Sequence, residues 1–325
     1  MISPIMMMRP GEPDDSDGGD LPFHVSESLT RHESLLDRAY EAMDEGDFEA
    51  AREAFREAIE MAPEEAEPHN YLGLTFIEEG NYVQAGLEYS AARMLAAQSL
   101  GASFTGAQWW VDPSTRPYLK ATLGLAIASS FQERYDLAEK LLNEVLKLNP
   151  TDNLGCRYLL GELRLRRGDA RGATEAFAEA EIGPGSLYSA ALALLESGDR
   201  RGAVLMMRKA FFSNFFIPPL LVGARVRTRY RVAAQNRAAE IDAQAYEKRC
   251  GDLWAPRKAE RELLGRVWDD PDVKDEAERY AAGVDRLSLE RDAEKRERLL
   301  DDLEAMRGDA ALERNHAAIC ARLGL

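Results

Sequence analysis

Apolar and small residues recur along this chain at helical spacing, and one phrase repeats. A small residue sits in a first helix, a tight turn follows, and a second helix carries Ala-x3-aromatic-x2-Ala or a close variant. The first copy has Ala39, then Gly46-Asp47-Phe48, then Ala51, Phe55 and Ala58, closed by Pro63. The second has Leu72-Gly73 and Phe76, then Gly80-Asn81-Tyr82, then Ala85, Tyr89 and Ala92. The third has Leu125-Ala126, then Tyr135, then Ala138, Leu142 and Val145, closed by Pro150. The fourth has Leu160-Gly161, Gly168-Asp169, Ala173, Phe177 and Ala180, with Pro184 beyond. The fifth has Ala190-Ala191, Leu194, Gly198-Asp199, Ala203, Met207 and Ala210, with Pro218 and Pro219 after it. Each copy predicts a helix-turn-helix.

The spacing holds register. Ala51 to Ala85 is 34 residues, Ala138 to Ala173 is 35, and Ala173 to Ala203 is 30. Ala85 to Ala138 is 53, one unit plus about 19 inserted residues. Gly73, Gly161, Ala126 and Ala191 fall in mid-helix. A Gly there costs about 1 kcal/mol against Ala, which is tolerable where a partner helix must come close. Gly46, Gly80, Gly168 and Gly198 fall where a first helix ends and a left-handed residue is wanted. Pro63 and Pro150 stop second helices.

A 34-residue helix-turn-helix with these residues resembles the tetratricopeptide repeat, in about five copies over residues 32–219. The resemblance implies an all-α fold: a right-handed superhelical α-solenoid with a C-terminal helical extension. Residues 1–28 then form an acidic, disordered arm, 29–223 the array with an insertion loop at 98–117, and 224–325 a helical capping region. In this family the first helix of each repeat lines a concave groove. Here those positions are Leu36, Tyr40 and Met43; Asn70, Tyr71, Leu74 and Ile77; Lys120, Leu123, Ile127 and Phe131; Tyr158, Glu162 and Leu165; and Tyr188, Leu192 and Leu195. The surface is apolar and rich in tyrosine, suited to an apolar helix or an extended segment. The chain's own insertion or C-terminal helices could equally fill it, because an exposed trough of this size invites aggregation. Some family members clamp a C-terminal carboxylate with Lys, Asn and Arg. The corresponding positions here are Leu36, Tyr40 and Tyr71, and only Lys120 matches. A carboxylate clamp is therefore not expected.

Two further segments carry candidate chemistry. The insertion is punctuated by Gly, Ser and Pro and holds Trp109-Trp110, the densest aromatic spot in the chain. It is a candidate hot spot, or else a loop folded back on the repeats. Beyond Gly223, Arg225, Arg227, Arg229 and Arg231 alternate with Val226, Thr228, Tyr230 and Val232. Such a run suits phosphate or an acidic partner, an internal one included. Residues 232–325 read as helices over 232–249, 256–268, 272–283, 286–306 and 309–323, with Gly283 and Gly308 as punctuation. Trp254, Leu263, Leu264, Val267 and Trp268 would form an apolar seam, and 287–300 a solvated charged helix.

Charge sharpens the picture. The 325 residues carry 41 Lys+Arg and 57 Asp+Glu, a net of −16. That makes a nucleic-acid coat unexpected. Residues 1–67 hold −14, whereas 157–237 hold +7. This polarity predicts electrostatic, head-to-tail self-association. No apolar run reaches membrane-spanning length, and Met1–Pro10 lacks the features of a signal peptide. Cys156, Cys250 and Cys320 are scattered, which fits a reducing, cytoplasmic setting. Phosphate-loop, dinucleotide, zinc-helix and nucleophile-elbow motifs are missing. His24, His32, His69 and His316 are dispersed, so neither metal nor cofactor is expected. The expectation is a non-enzymatic scaffold or adaptor for a protein partner. The alternatives are a chaperone for a secreted or assembling client, and a regulatory subunit of an enzyme or defence complex.

Overall fold

The computed structural model describes residues 23–106, 109–180, 184–224 and 234–325. Among them every regular element is a helix. The chain divides into two compact units, Met1–Cys156 and Arg157–Leu325.

The first unit holds three helical hairpins. They are α1 (Phe23–Glu45) with α2 (Phe48–Met61), α3 (Glu67–Glu78) with α4 (Tyr82–Leu100), and α5 (Arg116–Phe131) with α6 (Tyr135–Leu148). Helix α1 starts at Phe23, inside the stretch expected to be a disordered arm; residues 1–22 lie outside the described residues. The turns explain the repeated Gly-Asp or Gly-Asn. Gly46 and Gly80 take φ of 79° and 78°, and the next amides, of Asp47 and Asn81, bond back to Ala42 O and Phe76 O. That closes the first helix. The Asp47 and Asn81 side chains then accept the amides of Ala50 and Gln84 and open the second.

Small residues set the helix spacing. The Tyr89 ring lies against Gly73 and Gly124 together. A Cβ on Gly73 would sit 3.0 Å from it, and one on Gly124 only 2.2 Å. Sequence register pointed to Leu125-Ala126 for the third repeat, yet Gly124 makes the close approach. Phe55 and Tyr89 are fully buried, and the Phe55 ring contributes about 1.5–3 kcal/mol by leaving water.

The second unit opens with two more hairpins: α7 (Cys156–Arg166) with α8 (Ala170–Ala178), and α9 (Pro184–Glu196) with α10 (Arg200–Ser213). Their turns repeat the device, with Asp169 and Asp199 capping α8 and α10. A Cβ on Gly161 would meet the Phe177 ring at 2.7 Å. Then follow α11 (Ile217–Val222), α12 (Ala234–Trp254), α13 (Lys258–Asp269), α14 (Pro271–Leu289), α15 (Ala293–Arg307), α16 (Asp309–Arg314) and α17 (His316–Leu323). The last two repeats thus cluster with the C-terminal helices, and the division falls at 156, well before the expected 223.

The expected seam forms: Trp254, Leu263, Leu264, Val267 and Trp268 are buried in one cluster with Phe211 and Tyr246. Gly283, read as punctuation, lies within α14, and α12 runs on through Gly251 to Trp254. A Cβ on Gly283 would lie 2.8 Å from Leu303, so that glycine admits α15 to close packing. Arg322 ties α17 to the start of α14, reaching Asp270 at 2.8 Å and Asp272 at 2.7 Å. Burial opposes the Asp270 charge, but the bonds from Arg322 and the Asp272 amide hold that carboxyl below its ordinary range.

Candidate protein-interaction surfaces

The structure does not leave the first-helix positions as an open trough. In the first unit Leu36 is partly exposed, whereas Tyr40, Met43, Asn70, Tyr71, Leu74, Ile77, Lys120, Leu123 and Ile127 are buried. Tyr40, Phe55 and Tyr71 pack as an aromatic trio, with centroids 4.8–5.8 Å apart. Lys120 is used internally. Its ammonium lies 2.6 Å from Glu67 Oε1, and Asn70 donates to Pro117 O.

In the second unit the occupant is visible. Helix α12 covers the concave positions of α7 and α9, which is the self-filling alternative. Tyr246 packs tilted against Tyr188 with ring centroids 5.9 Å apart, and its hydroxyl meets Ser189 Oγ and accepts from Trp254 Nε1, both at 3.0 Å. Arg249 donates to Glu162 at 3.2 and 3.3 Å and lies over the Tyr158 ring. Arg166 grips Asp252 at 2.8 and 3.0 Å. Tyr188, Leu192 and Glu162 are thereby buried, and Tyr158 half-buried. Burial pushes the Tyr188 and Tyr246 hydroxyls up and the Cys250 thiol up to about 12. Cys250 therefore stays a protonated, inert packing group at neutral pH. Glu162 and Tyr188, read as groove residues, instead anchor the chain's own helix.

The insertion is likewise folded back. Helix α4 runs on to Leu100, short 3-10 turns follow at Gly101–Thr105 and Pro113–Thr115, and α5 starts at Arg116. Trp109 packs edge-on to Phe104 at 5.1 Å and against Tyr118 at 5.5 Å, beside a core of Ala92, Ala96 and Ala121. The Arg116 guanidinium lies over the Trp110 ring. Both indoles are half-buried. Arg225, Arg227, Arg229 and Arg231 lie outside the described residues.

One surface went unread in the sequence. On α4, Val83, Leu87 and Met94 are 61%, 60% and 56% exposed. With Ser90 and Ala97 they follow a 4-3-4-3 spacing, so they share one outward face. The neighbouring charges are engaged elsewhere: Glu88 on His69 and Arg93 on Glu144, each at 2.7 Å. Among the described residues no group of three His, Cys, Asp or Glu converges as a metal site would require.

A family model described as tetratricopeptide repeat matches residues 36–99 and 123–186. The chain carries tetratricopeptide repeats. The chain is also similar to several solved structures. MamA protein shares 22% identity over 56% of this chain and 90% of that one, at a TM-score of 0.43. Pseudomonas aeruginosa pilF shares 18% over 85% and 99%, at 0.40. A tetratricopeptide repeat protein from Parabacteroides merdae shares 16% over 74% and 100%, at 0.32. No curated protein sequence matches the chain.

Tetratricopeptide repeats are a protein-interaction fold, built as stacked hairpins that share a core. The repeat residues were legible because packing demands Gly and Ala at fixed offsets. The α4 face was not, because a surface Val, Leu or Met at helical spacing reads as core until the neighbouring helices are placed. The available signal was composition. Helix α4 carries only two charged residues in 19, so apolar groups surround it on all sides. Among the described residues, no helix is long and apolar enough to cross a membrane.

Proposed function

We propose that the chain is a non-catalytic adaptor that holds an amphipathic helix of a protein partner on the outer face of α4. The observation that carries this reading is the exposure of Val83, Leu87 and Met94 on one helix face. Their spacing with Ser90 and Ala97 offers the knobs and small-residue holes that a second helix packs into. The face is uncharged, so the partner's contacting stripe is apolar rather than acidic or basic. The concave positions of α7 and α9 are occupied by α12, which removes them from a partner's reach. The three buried, unbonded cysteines suit a reducing compartment.

The test uses the full chain with a photo-crosslinking side chain at Leu87 to identify the partner, followed by affinities for the purified pair. Leu87→Glu with Met94→Glu is expected to weaken binding by at least about tenfold. Both positions are exposed, so the melting temperature should not move. Equal affinity of the double variant, with crosslinks formed only elsewhere, would overturn the reading.

A further inference from the structure

A cleft of about 240 Å³ opens among α10, α14, α15 and α16. Its floor is apolar: Phe212 from α10, Met306 from α15 and Leu312 from α16. The floor continues into a buried cluster with Tyr280 and Leu303. Its rim is cationic and amidic, with Arg279, Arg314 and Asn315.

The one carboxylate in the wall is already spent. Glu276 receives Arg208 Nη2 on both oxygens, at 2.9 and 3.0 Å, and that arginine side chain is fully buried. Arg208 also donates to the Leu312 carbonyl, so a single guanidinium fixes two walls of the cleft against each other. The rim arginines are differently placed. Among the described residues Arg279 has only a solvent-exposed contact with Asp275, four residues away, which competes weakly. Arg314 has no ion-pair partner among the described residues. Asn315 starts α17 without using its side chain in a cap, so its amide is available to donate.

We propose that this cleft binds a small amphipathic carboxylate. Its apolar body rests on Phe212, Met306 and Leu312, and its carboxylate bonds to Arg314, Arg279 and the Asn315 amide. Guanidinium groups match the planar, two-oxygen geometry of a carboxylate. The volume sits below the roughly 300–1,000 Å³ of pockets for drug-sized ligands, which limits the apolar body to about one aromatic ring. That chemistry comes from two sources, a free aryl-alkyl acid or the C-terminal Phe of a peptide.

The full-length protein is titrated with 4-phenylbutanoate and with N-acetyl-Ala-Ala-Phe, each alongside its uncharged amide. Binding is read from the Met306 methyl resonance, assigned by its loss in Met306→Leu. Saturable shifts with the acids and none with the amides are expected. Shifts from the free acid alone, the peptide alone or both support the site and name its source. Arg314→Met with Arg279→Met should weaken binding on the order of tenfold or more at unchanged melting temperature. The proposal is overturned by an unmoved Met306 signal up to about 10 mM ligand, by amides binding as well as acids, or by full affinity in the arginine variant.

Discussion

Arg208 is the residue whose chemistry is least expected from its surroundings. It lies on the buried side of α10, with a fully buried side chain, and answers Glu276 on α14 and the Leu312 carbonyl on α16. A charge in that position has left water completely, so its value depends on the partner that meets it. Removing one member leaves the other buried and unpaired, which costs about 3–5 kcal/mol. Replacing both with apolar groups of similar volume is close to neutral. Arg208→Met is therefore expected to lower the unfolding free energy by that amount, read as a lower urea midpoint at unchanged slope, and Arg208→Met with Glu276→Leu to recover most of it. Equal midpoints for the single and double variants would show that the ion pair is not the unit of stability. Sequence alone could not find this pair. Residues 208 and 276 are 68 apart, and charges at helical spacing read as solvated until the opposite helix is placed.

At the scale of the helix, the turn between paired helices is the repeated device, and the third copy departs from it. Where other turns have Gly then Asp or Asn, this one has Glu133 then Arg134. Glu133 is held at φ 59°, and Arg134 makes no side-chain cap for α6. The closing bond from Arg134 N to Ser129 O forms regardless, because helix packing imposes the turn. Left-handed backbone favours Gly, and an Asp cap supplies a bond that Arg cannot. Glu133→Gly with Arg134→Asp is expected to raise stability by about 1–2 kcal/mol, seen as a higher urea midpoint with unchanged slope. No gain would mean that the existing side chains already compensate. The same comparison explains what was legible. Five hairpins were readable because the turn Gly and the capping Asp or Asn are dictated by local geometry, as at Gly46-Asp47 or Gly80-Asn81. Gly124 was passed over and Gly283 misread because their reason is a ring or a methyl group from another helix. At Glu162 and Tyr188 the sequence left an open or a self-filled groove as alternatives for the same reason: their partners Arg249 and Tyr246 sit on α12, beyond the repeats.

At the scale of the whole molecule, charge and the α4 face set opposite rules for contact between copies. The polarity of −14 over 1–67 and +7 over 157–237 predicts copies joined head to tail. The structure engages part of that positive stretch within the second unit: Arg166 on Asp252, Arg171 on Glu175, Arg208 on Glu276 and Lys209 on Asp309. Against the remaining attraction stands the overall repulsion of two net −16 chains, beside an uncharged apolar stripe at Val83, Leu87 and Met94. On the proposed reading, repulsion at low ionic strength opposes contact between copies, and the stripe is left to a partner helix. Near 0.5 M salt the Debye length falls to about 4–5 Å, the repulsion is screened, and burial of the apolar stripe is left unopposed. Light scattering of the full chain is therefore expected to show mass rising from about 0.05 to about 0.5 M salt, with Leu87→Glu removing the rise. Head-to-tail ion pairing has the opposite sign, since salt dissolves it and leaves the Leu87 variant unaffected. A mass that falls with salt, equally in both proteins, would restore the charge-driven contact and remove the α4 face from self-association.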